Sequence, residues 1–380
     1  MTHKARWINL SVGLAAAAFW VASGSMIAHH AERFDFLSFY TGGAIVRHTG
    51  FKGLYDLEIL RTLQQTLVHD PEQIVPFTRP PLFALVMMPF TLFSLVPAFY
   101  VWLLFQIGAL ISCWIWACRR FGSDALVYCS LYFPSAYGIM HGQDNSWMLA
   151  VVLATFLLAE RGRWAASGSV MALGLFKFHL FLLFPLAIAL RKRWRMSIAF
   201  CLTGICEATL SFVLVGWNGI QQYYELERRP DLPVNPIPWT MLNVRAVLLN
   251  FGSTAKWAVA LLAFLAIVLV VAGCRRALLW QWFAATTAGS LLISPHVYKY
   301  DATLLLLPIL LAIFQSKSKL TRISAFVLAI PLPYLVALLG QPFAALPAIL
   351  LFIFLFALAR ESYLELGAKE QLQVRLPVAA

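Results

Sequence analysis

Four polar strings interrupt an otherwise apolar sequence: FDFLSFY around Asp35, HGQDNSW at 141–147, FKFHL at 176–180 and SPHVYKYD at 294–301. Each carries groups able to move a proton or hold an anion. Asp35 is a carboxylate set between two phenylalanines, and Lys177 lies inside a 27-residue apolar segment, 164–190, with His179 beside it. A lysine in hydrocarbon costs about 2.5–3.5 kcal/mol on insertion scales. It therefore either has a partner or snorkels to the headgroups. Asp35 also admits two readings: a carboxylate presented to a ligand, or a charge favoured by the dipole at a helix N-terminus. The sequence has no Gly-rich phosphate loop, no His pair at metal-ligand spacing and no GxSxG elbow. Its six cysteines suggest neither a disulfide nor a metal cluster, so the expected site holds no metal and no cofactor.

The elements that must position these groups follow from composition. With 61% hydrophobic, 14% aromatic and 12% charged residues in 380 positions, no water-soluble core could hide the apolar surface, and the chain reads as an all-α polytopic membrane protein. Spans are expected at about 7–28, 97–118, 124–140, 145–160, 195–215, 253–272, 277–293, 300–315, 321–339 and 343–359. The first is long for a signal peptide and reads as a retained anchor. RPPLFALVMMPFTLFS, with prolines at 80, 81 and 89, leaves too short a helix to cross about 30 Å of hydrocarbon. Segment 164–190 is either one span with a buried charge or two short helices meeting partway.

Charge decides between these. If 80–95 does not cross and 164–190 crosses twice, one side holds 18 Lys and Arg against 5 Asp and Glu, and the other 11 against 11. The positive-inside rule then gives about twelve spans, cytoplasmic termini, a tail at about 361–380, and a net charge of +12 that reflects topology rather than nucleic-acid binding. The polar strings fall together on the outer face. There, the first loop, about 29–96, is long enough to need its own structure. Asp35, Ser38, Phe39 and Gly42 share a helical face, which suggests an interfacial helix, and a second helix is expected from Asp56 to Val68 after a Gly50–Gly53 turn.

Asp35 with Phe39 and Tyr40, Gly50 with Tyr55, RPPLFALVMMPF, HGQDN, the lysine of ALGLFKFH and SPHVYKYD, in this order over about residues 30–310, resemble glycosyltransferase family 87. The family includes polyprenol-phosphate-mannose-dependent α-mannosyltransferases and belongs to the GT-C membrane superfamily. The resemblance implies a single transmembrane glycosyltransferase domain over 1–380, in a bacterial inner membrane, with its active site facing the periplasm. It implies transfer of a hexose, mannose favoured, from a polyprenyl-phosphate donor to a glycolipid or envelope-glycan acceptor, with inversion. The first-loop carboxylate of the family maps to Asp35 as general base.

Such a transfer needs a base for the acceptor hydroxyl and cations for the departing phosphate. Lys177, His179, Arg79 and His296 are the candidate phosphate ligands. Tyr40, Gln143, Asp144, Asn145, Tyr298, Tyr300 and Asp301 are the candidate sugar and acceptor contacts, with Asp301 alternatively the partner of Lys299. Trp147, Trp217 and Trp239 could stack on sugars or form an aromatic belt. The loop WNGIQQYYELERRPDLPVNPIPW matches nothing in the family pattern. The competing reading is a transporter or flippase, which would also bury charges such as Lys177 and Glu207. Against it, the hydropathy has no internal repeat and the first loop is long.

Overall fold

The computed structural model describes residues 7, 11, 13, 14, 18, 35–68, 74–229, 237–275 and 277–375. The expected first span at 7–28, the centre of the 216–250 loop and the end of the tail lie largely outside them. The described residues are helical, with no strand.

Among the described residues, four helices are long and apolar enough to cross a membrane: α4 (Leu95–Phe121), α10 (Trp194–Arg228), α12 (Lys256–Cys274) and Phe343–Glu365, which takes in the start of α17 (Leu346–Arg375). α15 (Lys319–Ala329) and the helical run Leu332–Leu339, which begins with α16 (Leu332–Val336), are bent 55° apart across a break and make a fifth if the pair is counted as one span. The other apolar segments are shorter or broken. Residues 124–140 divide into α5 (Asp124–Leu131) and α6 (Phe133–Met140) where Pro134 starts a new helix. Pro81–Leu92, containing α3 (Pro81–Met87), is a short apolar helix as its prolines require.

Segment 164–190 is two helices, α8 (Trp164–Ala172) and α9 (Phe184–Leu190), joined by a 3₁₀ run at Leu173–Leu180 in which Lys177 has non-helical angles, φ −126° and ψ 52°. The chain also passes through a 3₁₀ turn, Lys299–Leu305, before α14 (Leu306–Gln315). Breaks of this kind turn backbone and polar side chains inward, which inside a bilayer is tolerated only where they are buried in protein or line a cavity.

The first loop builds a cap. α1 (Asp35–Thr49) has every residue from Phe36 to Val46 buried, so it is a core helix and not the amphipathic interfacial helix its pattern suggested. Its small residues permit close packing: a Cβ on Gly43 would stand 2.8 Å from the Met87 backbone carbon. Gly50, at φ 78°, makes the turn into α2 (Leu57–Leu67), where Asp56 accepts from the amides of Glu58 and Ile59. Gln64 of α2 pairs with both the amide and the carbonyl of Val75, and Ser38 Oγ donates to the Pro76 carbonyl, which holds the strap leading to Arg79.

α10 breaks at Gly216 (φ 67°), and its far half brings Tyr223 against Tyr55 of the cap. At the other end of the bundle, the buried Glu361 carboxylate accepts from Ser316 Oγ (2.7 Å) and the Lys317 amide (3.0 Å), joining α17 to the turn before α15.

Candidate active site

Asp35 opens α1, half-buried, yet among the described residues the hydrogen-bond partner of its carboxylate is the side-chain amide of Gln143, 108 positions away, and no amide of its own first turn. That separates it from a helix cap. Gln143 sits in the turn between α6 and α7 (Asn145–Glu160). The turn is fixed by Gly142, whose φ of 66° and whose contacts to Phe99 and Phe36 exclude a Cβ, and by Trp102 Nε1 donating to the Gly142 carbonyl at 2.8 Å. Phe36, Phe39, Phe83, Phe99 and Trp102 form an aromatic wall behind it.

The Lys177 ammonium, 2% exposed, lies 3.0 Å from Gln143 Oε1, 2.5 Å from Asn145 Oδ1, 2.8 Å from Asp301 Oδ1 and 3.0 Å from Asp144 Oδ1. Arg79 Nη2 reaches Asp144 Oδ1 at 3.1 Å and Gln143 Oε1 at 3.4 Å, with its guanidinium over the rings of Phe39 and Phe83. Two cations thus hold the Gln143 oxygen and turn its NH₂ toward Asp35. The Asp301 carboxylate also accepts from the Tyr298 amide at 2.9 Å. It pairs with Lys177 rather than with Lys299, whose ammonium donates to the Ala337 carbonyl.

This gathers three carboxylates, one lysine and one arginine. Asp144 and Asp301 are fully buried and ion-paired. Burial raises the Asp144 carboxyl, but Arg79 and Lys177 pull it down further, to below the usual carboxylate range. Asp35 has the opposite balance: burial raises it above that range despite the Gln143 hydrogen bond and the charges of His141, Lys177 and Arg79. Asp35 is thus more basic than Asp144.

Aromatic and imidazole rings close the other side. Lys177 lies 5.5 Å from the Tyr300 ring centre, Tyr300 stacks on Tyr137, and the Tyr298 and Tyr300 rings are 5.7 Å apart. Burial pushes the Tyr298 hydroxyl up to about 12, with the Asp35 and Asp301 charges adding to the rise. His296 stands edge-on to His179 at 5.4 Å. Burial lowers His296 to about 4, with Asp301 opposing, so it is neutral at pH 7 and offers a hydrogen bond rather than a charge. His179 Nε2, Asn145 Nδ2 and Asp144 Oδ2 are buried without hydrogen-bond partners among the described residues, so the site contains polar atoms that folding alone leaves unsatisfied.

Of the sequence candidates, Asp35, Arg79, Gln143, Asp144, Asn145, Lys177, His179, His296, Tyr298, Tyr300 and Asp301 come together. Tyr40 does not join the cluster, because its hydroxyl donates to the Phe93 carbonyl at 2.9 Å. Lys177 does not snorkel. Tyr137 and His141 were not read as site residues, although their i, i+4 spacing into HGQDN was a usable signal; His141 Nδ1 lies 2.9 Å from the Tyr137 carbonyl and its ring faces Tyr300 at 6.0 Å. Of the tryptophans, Trp147 packs on Phe105 and Trp217 is exposed. The described residues contain no cluster of His, Cys, Asp and Glu able to hold a metal.

The model of glycosyltransferase family 87 matches residues 77–295, more than half the chain, and takes in Arg79, the HGQDN turn and the Lys177 break. The chain belongs to glycosyltransferase family 87. It is a membrane glycosyltransferase, which takes a sugar from a donor to an acceptor. Asp35 precedes the matched region and Asp301 follows it. No curated protein and no solved structure matches the sequence.

Proposed function

We propose that this family 87 enzyme moves a hexose, mannose favoured, from a polyprenyl-phosphate donor to a glycolipid or envelope-glycan acceptor, with inversion, at the periplasmic face of the bacterial inner membrane. In this reading the bundle has about twelve spans and the active site lies at its outer end. One observation carries the mechanism: a half-buried, basic carboxylate, Asp35, is aimed by Gln143 beside an otherwise charge-compensated cluster.

Asp35 takes the proton of the acceptor hydroxyl as that oxygen attacks the anomeric carbon. The bond from that carbon to the phosphate oxygen breaks, and the phosphate leaves with the bonding pair. A raised carboxylate pKa suits this role, since a base poised nearer the working pH accepts the proton more readily. A single carboxylate suffices for inversion because phosphate is a good leaving group.

The Lys177 protons are already shared among Gln143, Asn145 and the two aspartates. Lys177 therefore acts on the developing phosphate charge mainly through its field, or directly by exchanging one oxygen partner for a phosphate oxygen. Arg79 and the neutral rings of His179 and His296 supply the other donors. Tyr298, Tyr300, Asn145 and Asp144 offer hydrogen bonds and aromatic surface to the sugar and acceptor. Tyr40 supports the cap instead.

The test is reconstitution. Purified protein given labelled polyprenyl-phosphate mannose and an envelope lipid extract should form a mannolipid of inverted anomeric configuration, readable by NMR, and should form none from the nucleotide sugar alone. Failure with every polyprenyl-phosphate hexose, or turnover of nucleotide sugar alone, would overturn the donor assignment.

A further inference from the structure

At the end of the bundle away from Asp35, a crevice of about 900 Å³ opens between α9, α12 and α17, lined by Leu186, Leu190, Lys192, Arg275, Ser362 and Tyr363 among others. From beside Arg275, α13 (Leu279–Ile293) runs 15 residues to the Ser294 turn at the active site, about 22 Å at 1.5 Å per residue. The crevice is therefore separate from the transfer site.

Its walls are of two kinds. Leu186 and Leu190 of α9 present apolar surface, whereas Lys192 and Arg275 bring two positive charges. Neither cation has a side-chain hydrogen bond or ion pair among the described residues. Among the described side chains, Glu361 and Glu365 of α17 are engaged elsewhere: Glu361 accepts from Ser316, Lys317 and Ser318, and Glu365 accepts from Gln281 at 3.3 Å. Arg191 is also occupied, reaching the Cys274 and Arg275 carbonyls at 3.2 and 3.4 Å. Arg191 thereby satisfies carbonyls at the end of α12 and ties the turn after α9 to α12, which fixes Lys192 and Arg275 relative to each other.

Lys192 also occupies an unusual backbone position. At φ 52° it is the one non-glycine residue with positive φ among the described residues, at the end of a helix where glycine would be least strained. The fold holds a charged side chain where a neutral, less strained residue would close the turn equally well.

We propose that this crevice binds an anionic phospholipid, with its phosphate between Lys192 and Arg275 and its acyl chains along Leu186 and Leu190. Charge complementarity favours a lipid with net negative charge over a zwitterionic one, whose headgroup amine would meet two cations. The apolar walls favour a lipid over a free anion, which makes no use of them. Basic pockets between helices at a membrane surface recognise headgroups in this way.

The test uses the full chain in neutral detergent, with phosphatidylglycerol as the probe and phosphatidylcholine and inorganic phosphate as comparators, read by retained lipid in native mass spectrometry and by thermal shift. Phosphatidylglycerol should be retained about tenfold or more over phosphatidylcholine, and retention should fall as salt rises. Lys192→Asn, which tolerates the left-handed backbone, combined with Arg275→Gln should bring the two lipids to parity. Equal retention of both lipids by the unaltered protein, an undiminished preference in the double variant, or preference insensitive to salt would each overturn the proposal. So would the same thermal shift from inorganic phosphate alone, which would reveal a bare anion site. If the double variant fails to fold, each single variant should lose part of the preference, and the salt series on the unaltered protein still decides.

Discussion

Replacing Lys177 by Met keeps the length of the side chain and removes its charge. The ammonium stands within 3.0 Å of four oxygens, two of them on buried carboxylates. The two aspartates do not suffer equally. Asp144 keeps Arg79 at 3.1 Å, whereas Asp301 keeps only the Tyr298 amide at 2.9 Å among the described residues. Removing one partner of a buried pair costs about 3–5 kcal/mol, chiefly through the charge left behind. The loss should therefore fall mainly on Asp301, and Lys177→Met should be destabilised by about that amount. At about 2–4 °C per kcal/mol in domains of 150–250 residues, and less in a longer chain, the melting point should fall by about 5 °C or more. Adding Asp301→Asn removes the orphaned charge, so the double variant should be more stable than Lys177→Met alone. Tryptophan fluorescence melts of the purified variants provide the assay. A Lys177→Met protein as stable as the parent, or a double variant that loses the sum of the single effects, would refute the buried network and return Lys177 to the lipid headgroups.

Two further outcomes are expected. The kcat/KM for transfer should fall as pH drops through the raised pKa of Asp35, because the base is lost on protonation; Gln143→Leu removes the hydrogen bond that lowers this pKa and should move the fall to higher pH, and a pH profile unchanged by that substitution would count against Gln143 as the group that positions Asp35. With the exposed Cys201 and Cys206 replaced, a cysteine at Arg193 should escape an impermeant reagent in intact spheroplasts, and strong labelling there would invert the proposed topology.

What the sequence revealed depended on how local the cause was. α2 was legible from Asp56 and the Gly50–Gly53 turn, because a cap acts over three residues. The break in 164–190 was legible because the charge balance of the loops favours two short helices there over one span. The partners of Lys177 were not, because Lys177 and Asp301 are 124 positions apart and meet only through tertiary packing. The alternative that paired Asp301 with Lys299 rested on adjacency, and the fold directs the two side chains to different neighbours.

α1 misled for another reason. Asp35, Ser38, Phe39 and Gly42 share a face that suggested an interfacial helix, but in the cap this stretch serves close contact: Ser38 bonds Pro76, and the neighbouring Gly43 admits the Met87 backbone. Tyr40 follows Asp35 by five residues, which turns it about 140° around a helix and away from the cluster. The span pattern was read from hydropathy, which measures apolar content and not continuity. Segments such as 124–140 and 164–190 carry the content yet break at Pro134 and Lys177, and the second break builds the site.

The central claim is that Asp35 removes the acceptor proton, and transfer by Asp35→Asn tests it most directly. Asparagine retains the size of the side chain and nearly all its helix-capping ability while losing the basicity. The variant should fold and bind donor like the parent, since the proposed phosphate contacts lie on other residues, and its turnover should fall by roughly 10² to 10⁴, the usual contribution of a positioned general base. A folded, donor-binding Asp35→Asn enzyme that transfers sugar at close to the parent rate would contradict the mechanism.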